Sequence, residues 1–137
     1  MIVADTNIIC YLLLAGERTS EAVKALEEDS VWVVPYLWQS ELCNVLTGYV
    51  RKKLLSRQDA RNNLEHAQNL FQGKEFSVSP NHVLELTVTS TCTPYDCEFV
   101  ALAQDLGVKL VTTDKQILAQ FPESALALDK FVGKQPY

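Results

Sequence analysis

The stretch Met1-Ile2-Val3-Ala4-Asp5-Thr6-Asn7 decides how the fold begins. Its apolar residues predict a short buried strand, and its aspartate predicts the cap of a helix that follows at once. The pattern recurs at Val108-Lys109-Leu110-Val111-Thr112-Thr113-Asp114, where a buried strand again ends in hydroxyl residues and an aspartate. Ligands of open α/β sheets bind at the carboxyl ends of the strands. We therefore expect Asp5 and Asp114 to come together at one edge of a sheet, although an aspartate before a helix can also act only as a cap.

A third acid lies on the apolar side of a helix predicted over residues 37–53. Apolar residues recur there with helical spacing at Trp38, Leu42, Val45, Leu46 and Tyr49. Glu41 falls inside this stripe, so we expect it to point toward the sheet, and Asn44 can reach the same region. An acid in such a place is costly unless it is paired, hydrogen-bonded or bound to metal. The alternative is an ion pair with Arg51 or another basic group.

A fourth acid lies in the segment from Thr93 to Gly107, which has the cap and stop signals of a helix. Asp96 is in the first turn, where the positive helix end favours a carboxylate, and its neighbours three and four residues on are apolar. We expect Asp96 to face inward, and Glu98 and Asp105 not to. The alternative is that Asp96 only stabilises the helix dipole.

Four carboxylates directed at one region repel each other strongly, and the usual compensation is a hard divalent cation. Oxygen ligands of this kind suit Mg²⁺ or Mn²⁺. The residues thus predict a metal site formed by Asp5, Glu41, Asp96 and Asp114.

The order of the elements predicts an α/β fold. Strands are expected near residues 2–4, 31–34, 75–78, 109–111 and 125–128, and helices near 7–14, 19–28, 37–53, 57–72, 80–90, 95–106 and 115–119. Strands that alternate with helices form a parallel sheet covered on both faces. We expect a three-layer α/β/α arrangement with a central parallel sheet of four to five strands. Residues 1–137 are expected to form a single domain whose tail, 129–137, frays.

The composition favours a cytoplasmic protein without a membrane span. Of the 137 residues, 47% are hydrophobic, which is enough material for one core. The longest apolar run, Ile8 to Ala15, is far shorter than the about 20 residues that a bilayer requires. The four cysteines have no zinc-binding spacing, so we expect buried thiols in a reducing compartment.

The motifs, taken in order, resemble the PIN domain family, and most of all its compact VapC-type toxins. The matching stretches are Asp5-Thr6-Asn7, Glu41 with Asn44, Tyr95 to Gly107, and Thr112 to Asp114. The resemblance extends from about residue 1 to residue 128. It implies a Mg²⁺- or Mn²⁺-dependent endoribonuclease that hydrolyses RNA phosphodiester bonds.

The resemblance also implies roles for individual residues. Asp5, Glu41, Asp96 and Asp114 correspond to the acidic site, with Glu41 either a metal ligand or a base that positions water. Supporting positions are Thr112, which matches a polar residue close to the metal, and Thr6, which follows the first acid. Cys97 departs from the family, in which a small residue such as alanine usually follows the third acid.

RNA and two protein partners follow from the resemblance. A small antitoxin is expected to cover the acidic site with its C-terminal segment, and Leu12, Leu13 and Leu14 are candidate contacts for it. A homodimer is also expected. Two alternatives remain: a stand-alone PIN nuclease without an antitoxin, and a PIN-like binding protein that holds metal without useful catalysis.

Two other folds also place an aspartate after the first strand. A haloacid-dehalogenase-like phosphatase needs a second aspartate where Asn7 stands. A phospho-receiver domain needs a paired acid before the first-strand aspartate and a lysine after the last strand, and neither is evident.

The net charge of −5 contrasts with the basic face that RNA-binding proteins usually carry. Divalent cations at the acidic site would offset most of this charge. The basic residues cluster at Arg51, Lys52, Lys53, Arg57 and Arg61. They are candidate phosphate contacts, and the alternative is a solvated helix end at which cations face the negative helix terminus.

Overall fold

The computed structural model describes residues 1–133 of the chain. Its elements, in order, are β1 (Ile2–Ala4), α1 (Thr6–Leu13), α2 (Thr19–Glu28), β2 (Trp32–Pro35), α3 (Trp38–Arg51), α4 (Arg57–Phe71), β3 (Glu75–Phe76), α5 (Pro80–Val88), α6 (Pro94–Leu106), β4 (Leu110–Thr112), α7 (Lys115–Gln120), β5 (Ala125–Ala127) and α8 (Leu128–Val132).

The five strands form one parallel sheet of order β3-β2-β1-β4-β5. β1 is the central strand, and its Val3 pairs with Leu110 of β4. The ladder continues one step further, because the N–H of Asp5 donates to the carbonyl of Val111 at 3.1 Å. This register places the carboxyl ends of β1 and β4 side by side, with Asp5 and Asp114 just beyond them.

Helices cover both faces of the sheet, which is the three-layer α/β/α fold expected from the sequence. α6 packs across β1, β2 and β4, and α1, α4 and α8 also contact strands. Every residue of β1, β2 and β4 is buried. This pattern is typical of parallel strands, which are enclosed on both sides and therefore lack alternating polar residues.

Trp38 fixes the start of α3. Its ring centroid lies 5.1 Å from that of Phe71 in α4. Its indole Nε1 donates a hydrogen bond of 2.8 Å to Oε2 of Glu75 at the edge strand β3. Because the ring is buried with its N–H satisfied, it holds the helix in one orientation and so determines where Glu41, one turn later, is placed.

α5 forms although its end is rich in weak helix formers. Ser79 caps it by accepting from the N–H of His82, and Pro80 takes the first helical position. The hydroxyl of Thr87 donates to the carbonyl of Val83 at 2.7 Å. These local bonds compensate for the poor helix propensity of the segment.

The chain after β4 ends differently from the expectation. The last strand stops at Ala127, and Leu128–Val132 forms the short helix α8, which was not predicted. Leu128 is fully buried and α8 packs on α2, so tertiary packing rather than propensity forms this helix. The expected fraying of the tail stays a prediction, and residues 134–137 lie outside the described part of the chain.

Three thiols are buried as expected, those of Cys10, Cys92 and Cys97, whereas that of Cys43 is half-buried. All four cysteines are free. Within residues 1–133, no helix combines the length and the hydrophobicity needed to cross a membrane.

Candidate active site

Asp5 lies at the centre of the candidate site, held between the end of β1 and the start of α1. Its Oδ1 accepts the N–H of Thr6 at 2.8 Å, and its Oδ2 accepts the hydroxyl of Thr112 at 2.6 Å. Thr112 is the last residue of β4 and is fully buried. The aspartate therefore caps α1 and is also tied to the neighbouring strand.

The pKa of Asp5 is raised from 3.8 to about 6. Burial is the main cause, and the charges of Asp96 and Asp114 raise the pKa further. The hydrogen bonds from Thr112 and Thr6 act in the opposite direction. This carboxylate is thus ionised at neutral pH only at a cost, and a nearby cation would remove that cost.

Asp114 and Asp96 each cap a helix with one carboxylate oxygen. Oδ1 of Asp114 accepts from the N–H groups of Gln116 and Ile117 at 2.9 and 3.0 Å. Oδ2 of Asp96 accepts from the N–H of Thr93 at 3.3 Å, in a capping box. Among the described residues, the second oxygen of each carboxylate accepts no hydrogen bond. Capping and a site role are therefore compatible for both.

Glu41 is half-buried near the N-terminus of α3. Its pKa is raised, first by burial and then by the charges of Asp5, Asp96 and Glu98. Among the described residues, Glu41 forms no ion pair with Arg51 or another basic group, so that alternative is not realised. The four acids expected to converge thus act on one another electrostatically from four different elements.

A surface cleft of about 370 Å³ opens between α3 and α6, and we call it the acidic cleft. It is lined by Leu37, Ser40, Glu41, Asn44, Thr93, Tyr95 and Asp96. Asn44 lies where the sequence predicted, within the same cleft as Glu41. Tyr95 is 60% exposed at this cleft, so an aromatic face stands beside two of the four acids.

Glu98 corrects the sequence prediction, which placed it away from the site. It is half-buried, burial raises its pKa, and its charge raises the pKa of Glu41. Its side chain borders a groove of about 390 Å³ between α5 and α6. Asp105, by contrast, is exposed as predicted, and its Oδ1 lies 3.0 Å from Nδ1 of His82.

Tyr49 also departs from its predicted place in the apolar stripe. Trp38, Leu42 and Leu46 are buried, whereas Tyr49 is 41% exposed. Glu41 and Tyr49 are separated by two steps of four residues along α3, so they lie in one row on the helix surface. This row is next to the row of buried residues. Glu41 consequently reaches the rim of the core, where water and ligands have access.

The residues present fit a hard cation by their chemistry. The donors are carboxylate oxygens, of which Asp96 and Asp114 each have one without a hydrogen bond, and the buried Oγ1 of Thr6 has no hydrogen-bond partner within residues 1–133. In that part of the chain, however, no group of three or more His, Cys, Asp or Glu side chains is arranged to hold a metal. Mutual repulsion of carboxylates opposes a tighter grouping when no cation is bound.

Four of the five basic residues expected to cluster line two different grooves beside α3. Arg51, Arg57 and Arg61 line a groove of about 400 Å³ between α3 and α4. Lys52 lines a separate groove together with Tyr49. The basic residues expected to cluster therefore contribute to more than one groove, and their contact with phosphate stays a prediction.

Comparisons with known proteins agree with this architecture. Ribonuclease VapC3 of Pyrobaculum aerophilum is 29% identical over 124 residues, which cover 88% of this chain and 95% of that protein. The crystal structure of PAE2754 from Pyrobaculum aerophilum superposes with a TM-score of 0.78 at 21% identity, covering 97% of this chain and 94% of that one. A toxin–antitoxin complex from Klebsiella pneumoniae gives a TM-score of 0.67 at 21% identity, covering 93% and 98%. These two likenesses concern the fold.

The family itself is identified by its sequence model. The model of the PIN domain matches residues 2–123. This range contains the strands β1 to β4 and all four acids of the candidate site. Because this match covers most of the chain, the chain belongs to the PIN domain family.

Proposed function

We propose that this chain is a divalent-metal-dependent endoribonuclease, and the toxin of a toxin–antitoxin pair. The observation that carries the proposal is the position of Asp5, buried at the end of the central strand within the electrostatic reach of Asp96 and Asp114. The similarity to Ribonuclease VapC3 supports the choice of RNA as substrate. A cytoplasmic location, where RNA would be encountered, is part of this proposal.

Asp5, Glu41, Asp96 and Asp114 form the acidic site in this proposal, and they would hold Mg²⁺ or Mn²⁺. When bound, the ion would orient the scissile phosphate, favour ionisation of the attacking water and stabilise the developing charge. Thr112 keeps Oδ2 of Asp5 in place through its hydroxyl. Thr112 thereby limits the motion of the carboxylate while substrate is bound.

Glu41 has two possible roles, metal ligand or base. As a base, its carboxylate would accept the proton of the attacking water while the three aspartates hold the ion. Glu41→Gln separates the two roles because the amide keeps the size of the side chain. A base role predicts lost cleavage with retained Mn²⁺ affinity, measured by calorimetry, and a ligand role predicts loss of both.

The proposal is tested by incubating the purified protein with total RNA in the presence of Mn²⁺ or of a chelator, and mapping the new ends. We expect cuts that require both the metal and Asp96, with Asp96→Asn at least 100-fold slower, which corresponds to about 2.7 kcal/mol of barrier. Asp105→Asn is the matched control, because this exposed acid lies on the same helix. Mn²⁺ binding without any cleavage would instead favour the binding-protein alternative.

An antitoxin partner is proposed from the fold shared with the Klebsiella toxin–antitoxin complex and from a groove beside α1. The groove, of about 320 Å³, is lined by Leu12, Leu13, Leu26, His66 and Leu70. Its leucines are half-buried, so part of their apolar surface is open to a peptide segment. Co-purification with the product of a short adjacent reading frame, reduced by Leu13→Glu, tests the partner, and a stand-alone nuclease would purify without one.

A homodimer is also part of the proposal, with its contact on α5. Leu84 and Val88 lie one turn apart on that helix and are 61% and 68% exposed. Leu84 lines the apolar groove that contains Val83 and Pro94, and Val88 directly follows Thr87, which also lines it. Exposed apolar residues that form a contiguous patch mark interaction sites more often than scattered ones do.

A further inference from the structure

A second groove continues from the acidic cleft along α3, and we call it the α3 groove. It has a volume of about 260 Å³ and is lined by Asn44, Val45, Gly48, Tyr49, Lys52 and Leu54. Asn44 lines both the acidic cleft and the α3 groove, so the two are adjacent. Lys52 follows Glu41 by about three helical turns and therefore lies on the same side of α3.

The far wall of the α3 groove is built by the turn that ends the helix. Lys53 has a positive φ of 60°, and the N–H of Leu54 donates to the carbonyl of Tyr49 at 2.9 Å. This pattern is a Schellman ending, which folds the chain back over the last turn. It brings Leu54 beside Tyr49 and leaves Lys52 exposed at the end of the groove.

Gly48 forms the floor of the α3 groove, and the packing of the protein does not require a glycine there. A Cβ added at Gly48 would meet no atom within 4 Å. A glycine inside a helix costs about 1 kcal/mol relative to alanine. Because Gly48 has no side chain, the helix backbone is bare between Asn44 and Tyr49. A bare backbone allows a ligand to approach closely.

We propose that a single strand of RNA leaves the acidic cleft past Asn44 and crosses Gly48, with one base stacked on Tyr49 and a phosphate at Lys52. This inference rests on the proposed nuclease function, and it names the form of RNA and the residues that position it. Tyrosine faces bind unpaired bases, whereas a duplex keeps its base faces stacked inside. Within residues 1–133, Lys52 forms no ion pair, so its charge is free for phosphate.

Charge complementarity favours RNA over a second copy of the chain at this groove. The protein carries a net charge of −5, and the acidic cleft repels a polyanion until metal is bound. Lys52 lines the adjoining groove and places a positive charge next to that cleft. Tyr95, exposed at the acidic cleft itself, supplies a second aromatic face along the same path.

The test measures fluorescence anisotropy of a short labelled oligoribonucleotide of mixed sequence with Mn²⁺, using Asp96→Asn as the background so that RNA stays intact. We expect Tyr49→Ala to weaken binding about tenfold, as loss of one stacked base does, and Tyr49→Phe to retain it. Gly48→Gln should block the groove and weaken binding, whereas Gly16→Gln, at an exposed glycine between α1 and α2 and outside the α3 groove, should not. Duplex RNA should bind more weakly and be insensitive to Tyr49→Ala.

Unchanged RNA affinity in both Tyr49→Ala and Gly48→Gln overturns the inference, as does equal sensitivity of duplex RNA to Tyr49→Ala. A change in sedimenting mass without a change in RNA affinity also overturns it, because the groove then belongs to a second copy. Cleavage by the otherwise wild-type protein is measured in parallel. If Tyr49→Ala binds RNA normally while the wild type cleaves it, only the inference fails. If the wild type neither cleaves RNA nor binds Mn²⁺, the proposed function fails.

Discussion

The hydroxyl of Thr112 donates to Oδ2 of Asp5 at 2.6 Å, across the junction of β4 and β1. The oxygen of that hydroxyl also accepts the N–H of Asp114 at 3.0 Å. One buried hydroxyl thus connects two of the acids, and it does so because the parallel register sets the two strand ends side by side. The geometry of the site depends on this contact as well as on the carboxylates.

Thr112→Val should therefore reduce cleavage while keeping the shape of the side chain. The N–H of Asp114 loses its acceptor and Asp5 loses a donor, which we expect to destabilise the protein by about 1 to 3 kcal/mol. Urea denaturation and cleavage rates at saturating Mn²⁺ are the measurements. Thr112→Ser keeps the hydroxyl and should therefore retain both the cleavage rate and the stability. A valine variant as active and as stable as the wild type would contradict the role of this hydroxyl.

Asp5→Asn should make the metal-free protein more stable at neutral pH. The folded-state pKa of about 6 lies above the ordinary value of 3.8, so the folded protein holds the proton more tightly than the unfolded chain. The stability associated with this proton is fully present below about pH 4 and is lost as the pH rises to about 6. At pH 7 the wild type should be less stable than the variant by up to roughly 3 kcal/mol.

Denaturant unfolding in the presence of a chelator, from pH 3.5 to 7.5, measures this difference. The two proteins should converge at the acidic end, because Asp5 is then protonated in both the folded and the unfolded state. If the difference in unfolding free energy were constant over the whole pH range, the pKa of Asp5 would not be raised in the folded protein.

Mn²⁺ should remove most of this difference in stability, because it binds the folded wild type and compensates its carboxylates. At a concentration about 100 times Kd, the ion should stabilise the protein by about 2.7 kcal/mol. Asp5→Asn and Asp114→Asn should lose most of this gain in a thermal melt. Glu98→Gln should keep it, since Glu98 adds charge near Glu41 but is outside the proposed ligand set.

The positions of Asp5 and Asp114 were predictable because short apolar runs that stop at an acid locate strand ends without knowledge of the rest of the fold. Glu41 and Asp96 were found from helical periodicity, since each interrupts or adjoins an apolar stripe. The parallel sheet, which directs its carboxyl ends to one edge, then accounts for the placement of Asp5 near Asp114.

Glu98 and Tyr49 were placed wrongly because periodicity does not resolve the rim of a buried face. Whether a residue beside the stripe is covered depends on the packing of neighbouring helices, and that packing involves segments distant in sequence. The helix α8 was missed for a similar reason, since its five residues fold around Leu128, which is buried.

Lys53→Gly should stabilise the protein by up to about 1 kcal/mol, because a left-handed conformation is strained for a residue with a Cβ. Lys53 has a φ of 60° and ends α3. Lys53→Ala is the control, because alanine removes the charge and keeps the Cβ, so no stabilisation is expected. Urea denaturation compares the three proteins, and equal stability of the glycine and alanine variants would contradict the strain.

The exposed face of α5 supports a prediction about assembly. The double variant Leu84→Glu with Val88→Glu should be monomeric at concentrations where the wild type is dimeric, because each glutamate would otherwise be buried unpaired in the contact. Val23→Glu, on the exposed side of α2, is the matched control and should leave the dimer intact.

Sedimentation velocity over a range of concentrations measures this assembly, and circular dichroism verifies that each variant remains folded. Because Leu84 and Val88 point away from the core, the folded monomer should lose little stability. If the double variant sediments as the wild type does, the dimer contact lies elsewhere. The α3 groove would then be the next surface to examine, by repeating the measurement with Leu54→Glu, whose side chain is 68% exposed there.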